Sequence, residues 1–263
     1  MLRTVEIHEI VQTLYEAERD RREIDKWTET YPELDEKLAY QIQDQLIEKK
    51  CKEEQTEIAG RKLGLTSKAK QEMMGVHEPT YGVLLKNMQL QTGEPISLEP
   101  FIHAKIEPEI AFIFDKEVSG PTNTVADILE ATRYVAPAME IIDSRYRNFD
   151  FTYADVIADN SSSSRYIVGD TFYRVDELDL RLMGMVFKKN GEVVATSAGA
   201  AVMGHPARAI AWMANKLAKR GQSIQAGEIV LSGALSGAVT ISPGDQFTVE
   251  LDGIGSLEAV FEK

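Results

Sequence analysis

Cysteine is nearly absent. Cys51 stands alone, which excludes an intramolecular disulfide and suits a reducing cytoplasm. Basic charge is also scarce: 29 Lys and Arg against 42 Asp and Glu give a net charge of −13. That balance argues against nucleic acid or an anionic membrane as partner, since both need basic surface. No apolar run approaches the roughly 20 residues of a membrane helix. The first residues lack the basic segment and apolar stretch of a signal peptide. The four histidines, His8, His77, His103 and His205, show no metal-ligand spacing. Walker loop, dinucleotide fingerprint, nucleophile elbow and internal repeats are all missing.

What is present is acidic and specific. In Lys105-Ile106-Glu107-Pro108-Glu109-Ile110-Ala111-Phe112-Ile113-Phe114, strand alternation points Glu107 and Glu109 one way. Ile106, Ile110, Phe112 and Phe114 point the other. Two carboxylates about 7 Å apart along a strand repel unless a proton or cation lies between them. A divalent metal on oxygen ligands explains the pair economically. A third acid is expected at Glu140, inside the apolar Ala136-Pro137-Ala138-Met139-Glu140-Ile141-Ile142, where an unpaired charge is costly. Glu140 either completes a metal set or pairs with an arginine such as Arg145.

Elsewhere the chain reads as an α+β protein in two parts. Residues 1–56 form an N-terminal helical region: Ile7, Ile10, Val11 and Leu14 repeat at helical spacing, as do Leu34, Leu38, Ile42 and Leu46, with a break at Tyr31-Pro32. Residues 57–263 form a β-rich catalytic domain. Strands are expected from Ile58 to Leu65, Tyr134 to Ile142, Ser164 to Val168, Leu182 to Lys188, Ile229 to Leu231, Gln246 to Leu251 and Leu257 to Phe261. Asn190-Gly191 marks a hairpin turn, and Gly204-His205-Pro206 opens a helix. Gly75 to Gly82 reads as loop.

Lys62 shares a strand face with Gly60 and Gly64, and glycines there leave open space for a lysine reaching into a pocket. The cluster Asp159-Asn160-Ser161-Ser162-Ser163-Ser164-Arg165 reads as a flexible loop, or as a source of hydroxyls and a guanidinium for a carboxylate-bearing ligand. Ser232-Gly233-Ala234-Leu235-Ser236-Gly237 reads as a loop whose amides approach a substrate.

Five stretches together resemble the fumarylacetoacetate hydrolase superfamily, in its hydratase/decarboxylase branch. They are Gly60-Arg61-Lys62-Leu63-Gly64-Leu65-Thr66-Ser67, Glu107-Pro108-Glu109-Ile110-Ala111-Phe112, Glu140-Ile141-Ile142-Asp143-Ser144-Arg145, Ala158-Asp159-Asn160 and Gly204-His205-Pro206. The resemblance covers Gly60 to the C-terminus. It implies a β-rich body and a Mg2+ (or Mn2+) ion held by Glu107, Glu109 and Glu140. It further implies that Lys62 is catalytic and touches substrate, with Ser162 lining the substrate pocket. Arg165 either binds the substrate's departing carboxylate or forms a structural ion pair. Superfamily hydrolases usually carry aspartate at the position of Glu140, which speaks against C–C bond hydrolysis here.

Hydratases of the branch typically read Gln-Pro-Asp-Phe-Gly where this chain has Glu78-Pro79-Thr80-Tyr81-Gly82. Thr80 is no general base near neutrality. Asp143 to Phe151 and Ser162 to Arg165 are similar to the decarboxylases of the branch. The implied activity is metal-dependent decarboxylation of a small dicarboxylate 2-oxo acid, 2-oxo-3-hexenedioate, to 2-hydroxypenta-2,4-dienoate. The alternatives are 2-hydroxypentadienoate (vinylpyruvate) hydration and a non-catalytic subunit of a hydratase/decarboxylase complex. The implied partners are the pathway's vinylpyruvate hydratase and further copies of the chain.

Overall fold

The computed structural model describes residues 3–73 and 75–263; Met1, Leu2 and Met74 lie outside them. Helix α1 (Thr4–Arg19) buries Ile10, Val11, Leu14 and Ala17 on one stripe. A single turn, α2 (Trp27–Thr30), precedes the Tyr31-Pro32 break. Helix α3 (Glu36–Glu53) starts at Asp35, whose side chain accepts from the Leu38 amide at 2.9 Å. Leu34 therefore sits just ahead of this helix, not inside it. The buried faces of α1 and α3 belong to the same apolar cluster as Ile106, Ile110 and Phe112 of the β body.

Strand β1 (Ile58–Gly64) is followed by α4 (Lys68–Met73) and β2 (Thr80–Leu85). Thr80, Tyr81 and Gly82, expected in a loop, are strand residues paired with Gly64, Leu63 and Lys62. Strand β3 (Lys105–Phe114), helix α5 (Val125–Ala131), strand β4 (Thr132–Ile142), helix α6 (Tyr153–Ala158) and strand β5 (Ser163–Val168) follow. Next come β6 (Tyr173–Arg174), the hairpin β7 (Gly184–Lys189) and β8 (Glu192–Ala198), then α7 (Pro206–Ala218). The chain ends in β9 (Ile229–Leu231), β10 (Val239–Thr240), β11 (Gln246–Leu251) and β12 (Gly255–Val260).

The larger sheet runs β2-β1-β9-β3-β4-β5, with β10 and β6 added on β3 and β4. Its pairs are antiparallel except β1 with β9. The smaller sheet, β12-β11-β7-β8, lies against β4 through β11 and β12. Phe187, Phe247 and Phe261 fill its inner face, with ring centroids 5.7 and 5.9 Å apart. Asn190 and Gly191 take φ of 54° and 83° at the β7–β8 turn, the left-handed pair that a tight hairpin requires. The arrangement is α+β, as expected. Among the described residues no helix is long and apolar enough to cross a membrane.

Candidate active site

Antiparallel pairing sets Glu107 of β3 opposite Glu140 of β4, and Glu109 opposite Ala138. Directly opposed residues share a face, so the three acids converge. One carboxylate oxygen from each lies within 4.8 Å of the others. Glu109 and Glu140 are fully buried, and Glu107 is 7% exposed.

Among the described residues, Glu109 and Glu140 have few partners for so buried a pair of acids. Glu140 Oε1 accepts from Ser163 Oγ at 3.0 Å and lies 3.2 Å from Lys62 Nζ. Glu109 Oε2 accepts from the Gly233 amide at 2.7 Å. Glu109 Oε1 and Glu140 Oε2 are buried with no hydrogen-bond partner among the described residues. Burial pushes the Glu109 carboxyl well above its ordinary range, and the charges of Glu140 and Glu107 push it further. Burial also raises Glu140, against the pull of the Lys62 ammonium. Two orphaned carboxylate oxygens in a three-acid cluster fit a hard divalent cation such as Mg2+ or Mn2+.

Beside the acids, Asn160, Ser161 and Ser162 take φ of 49°, 55° and 56°. Three consecutive left-handed residues cost roughly 1–2 kcal/mol each, so this turn needs strong restraints. Arg145 supplies one set. It is fully buried, ion-pairs with Asp159, and donates to the carbonyls of Asp143, Asp159 and Ser163 at 2.7, 2.5 and 3.2 Å. Asn160 supplies another: its side chain accepts from the Val83 amide at 2.7 Å and donates to the Val83 carbonyl at 2.9 Å. The turn so held points the Ser161 carbonyl at Lys62 Nζ. It sets Ser161 Oγ 2.6 Å from Thr80 Oγ1, and leaves Ser162 Oγ buried without a partner among the described residues.

Glu107 and this turn border a cleft of about 500 Å³ that Lys62, Ser162, Thr80, Phe149 and Phe151 help to line. Of the expected site residues, Lys62, Ser162, Glu107, Glu109 and Glu140 come together. Arg165 does not. It pairs with Ile141, one position off Glu140, and so faces away from the acids into a separate cleft with Tyr15, Glu18 and Glu99. Arg145 is not the partner of Glu140, because Asp159 holds it instead. The Asp159 to Ser164 segment is a buried restraint, not a flexible loop.

Nor do the glycines open space. A Cβ on Gly60 would sit 1.8 Å from Ile229 O, and one on Gly64 would sit 2.6 Å from Thr80 Oγ1. On Gly82 it would meet Asn160 O at 2.6 Å and Lys62 Cε at 3.1 Å. These glycines permit close approach of strands and turn. Gly82→Ala therefore has to push the turn off β2. It is expected to destabilise the protein by about 1–3 kcal/mol and to lower turnover; unchanged thermal melting and rate would contradict this packing.

A family model described as Fumarylacetoacetate (FAA) hydrolase, C-terminal, matches residues 55–262. The chain belongs to the fumarylacetoacetate hydrolase family. Within that family it is 42% identical to a 4-oxalocrotonate decarboxylase of Pseudomonas putida over 252 residues, 96% of this chain and 95% of that protein. It is 38% identical to the TodF product hydratase of Pseudomonas putida F1 over 261 residues, 99% and 97% of the two chains. The structure of 4-oxalocrotonate decarboxylase from Pseudomonas putida G7, complexed with magnesium and adipate, superposes with a TM-score of 0.95 at 40% identity, covering 99% of each chain. The fumarylacetoacetate hydrolase fold accounts for the curled sheet that carries the acids.

Sequence reasoning missed Phe149 and Phe151 as cleft walls and Arg145 as the clamp on the turn. Each lies in a stretch already singled out. The missing signal was register: a shift between Ile141 and Ile142 swings Ser163, not Arg165, to the acid face.

Proposed function

We propose that this protein is a metal-dependent carboxy-lyase that releases CO2 from 2-oxo-3-hexenedioate (4-oxalocrotonate), leaving 2-hydroxypenta-2,4-dienoate. One observation carries the choice of reaction. Among the described residues, the ionisable groups lining the cleft apart from Glu107 are Lys62 and Lys105, and Thr80 stands with its hydroxyl bonded to Ser161. Hydration needs a base for water and an acid for carbon; decarboxylation needs chiefly an electron sink. The likeness to the 4-oxalocrotonate decarboxylases supports the same choice.

Glu107, Glu109 and Glu140 would hold Mg2+ (or Mn2+). When bound, the cation supplies Lewis acidity at the substrate's 2-oxo group. Lys62, fixed by Glu140 and the Ser161 carbonyl, presents positive charge where the oxyanion develops. The unpartnered Ser162 hydroxyl donates to the keto-acid end. Phe149, Phe151 and Val156 form an apolar wall that favours conversion of a carboxylate to neutral CO2. The C5–C6 bond breaks, its electrons pass through the conjugated system to the 2-oxo oxygen, and that oxygen takes a proton from solvent.

The test is product analysis with Mg2+-loaded protein. CO2 is expected in step with 2-hydroxypentadienoate, with no consumption of that dienoate when it is offered alone. Consumption of the dienoate without CO2 release would make the protein a hydratase; inertness toward both would make it a partner subunit. The same proposal sets the chain in meta-cleavage catabolism of aromatic compounds, in the cytoplasm, as a homo-oligomer that hands its product to a vinylpyruvate hydratase. The lone cysteine and the hydratases among its relatives support that placement.

A further inference from the structure

Lys105 has no task in the reaction above. It opens β3 two residues before Glu107, so the two share a strand face with about 7 Å between their Cα atoms. Both line the same cleft. Unlike Lys62, Lys105 ion-pairs with no carboxylate among the described residues; its ammonium rests 4.0 Å from the centroid of the Phe149 ring.

That ring is placed deliberately. Asn148 and Phe149 take φ of 56° and 58°, an outlier for a bulky aromatic residue. The His103 ring also packs on Phe149, at 4.6 Å between centroids. The result is a half-buried cation held over an aromatic face in the cleft, on the opposite side of Glu107 from Glu109 along β3. Five extended carbon–carbon bonds span roughly 6 Å, comparable with the Cα spacing of Lys105 and Glu107 along the strand.

We propose that Lys105 is the specificity-determining residue that binds the far carboxylate of a dicarboxylate whose keto-acid end lies at the Glu107, Glu109 and Glu140 cluster. The inference rests on the decarboxylase reading for its substrate. An ammonium that keeps some contact with water grips a carboxylate only modestly. That suits a group which must lose its charge in the transition state, where tight ground-state binding would slow the reaction.

Calorimetry on the Mg2+-loaded protein tests it, with the saturated six-carbon dicarboxylate adipate and the monocarboxylate hexanoate as probes. The wild-type chain is expected to prefer adipate by about tenfold. Lys105→Met should erase that preference while leaving hexanoate and Mg2+ binding unchanged, and Lys105→Arg should restore most of it. A wild-type protein that does not prefer adipate, or a Lys105→Met variant that keeps the preference, overturns the proposal. The two readings separate cleanly. CO2 release by the wild type with preference retained in Lys105→Met removes only the role of Lys105. Preference lost in Lys105→Met, with no CO2 release by the wild type, leaves a dicarboxylate site and removes the decarboxylase.

Discussion

Glu109→Gln abolishes CO2 release, weakens Mg2+ binding by more than about a hundredfold, and raises the melting temperature of the metal-free protein near neutral pH. The opposite signs follow from one geometry. Glu109 is fully buried within a three-carboxylate cluster and has one oxygen without a partner. The neutral amide keeps the oxygen that accepts from Gly233 and turns its NH2 toward the neighbouring carboxylates, so neither charge repulsion nor proton uptake at this position opposes folding.

The pH dependence has a definite sign. Burial raises Glu109 and Glu140 above the ordinary 4.5 in the fold. The metal-free native state therefore retains protons that the unfolded chain has released, and its stability falls as pH rises from about 4.5 through the raised values. Mg2+ offsets the loss by binding only the native state. Melting curves across pH with and without Mg2+ should show this slope flattened by the ion in wild type. In Glu109→Gln the slope is shallower without ion, and Mg2+ has little effect. A variant that binds Mg2+ normally, or that melts lower at every pH, rules out the cluster as the cation site.

Lys62→Met lowers turnover by roughly a hundredfold to ten-thousandfold without weakening Mg2+ binding. The side chain is 2% exposed, with Nζ 3.2 Å from Glu140 Oε1. Methionine fills the same volume and removes only the charge. Loss of a cation beside Glu140 leaves more negative potential for Mg2+, so affinity holds or rises while the oxyanion loses its second positive neighbour. Calorimetric Mg2+ titration beside single-turnover kinetics distinguishes the cases. Unchanged turnover would make Lys62 a bystander; loss of Mg2+ affinity would make it structural.

Much of the site was legible because strand alternation is a strong local rule. It placed Glu107 and Glu109 on one face, and the apolar setting of Glu140 marked that acid as needing a partner. Most strand and helix boundaries came from the same periodicities and from turn residues such as Asn190-Gly191. Failures occurred where long-range register decides. Arg165 and Ser163 differ by two positions, and only the shift opposite Ile141 and Ile142 tells which reaches the acids. The segment Asp159 to Ser164 has loop composition, yet Arg145 and the Val83 backbone satisfy its polar groups inside the protein. Composition could not reveal partners supplied by distant strands. Thr80 was misplaced for the same reason, since its strand character comes from pairing with Gly64.

The Asn160 to Ser162 turn gives the cleft two unequal sides. One side is wired through a buried guanidinium and a paired amide, so substitutions there jeopardise folding and chemistry at once. The other, carrying Phe149 and Phe151, is tied to the segment before α2 by surface pairs such as Arg147 with Asp25 and Lys26 with Asp150, each worth little. Divergence toward new substrates, in evolution or in the laboratory, should therefore accumulate on the aromatic side and spare the serine side.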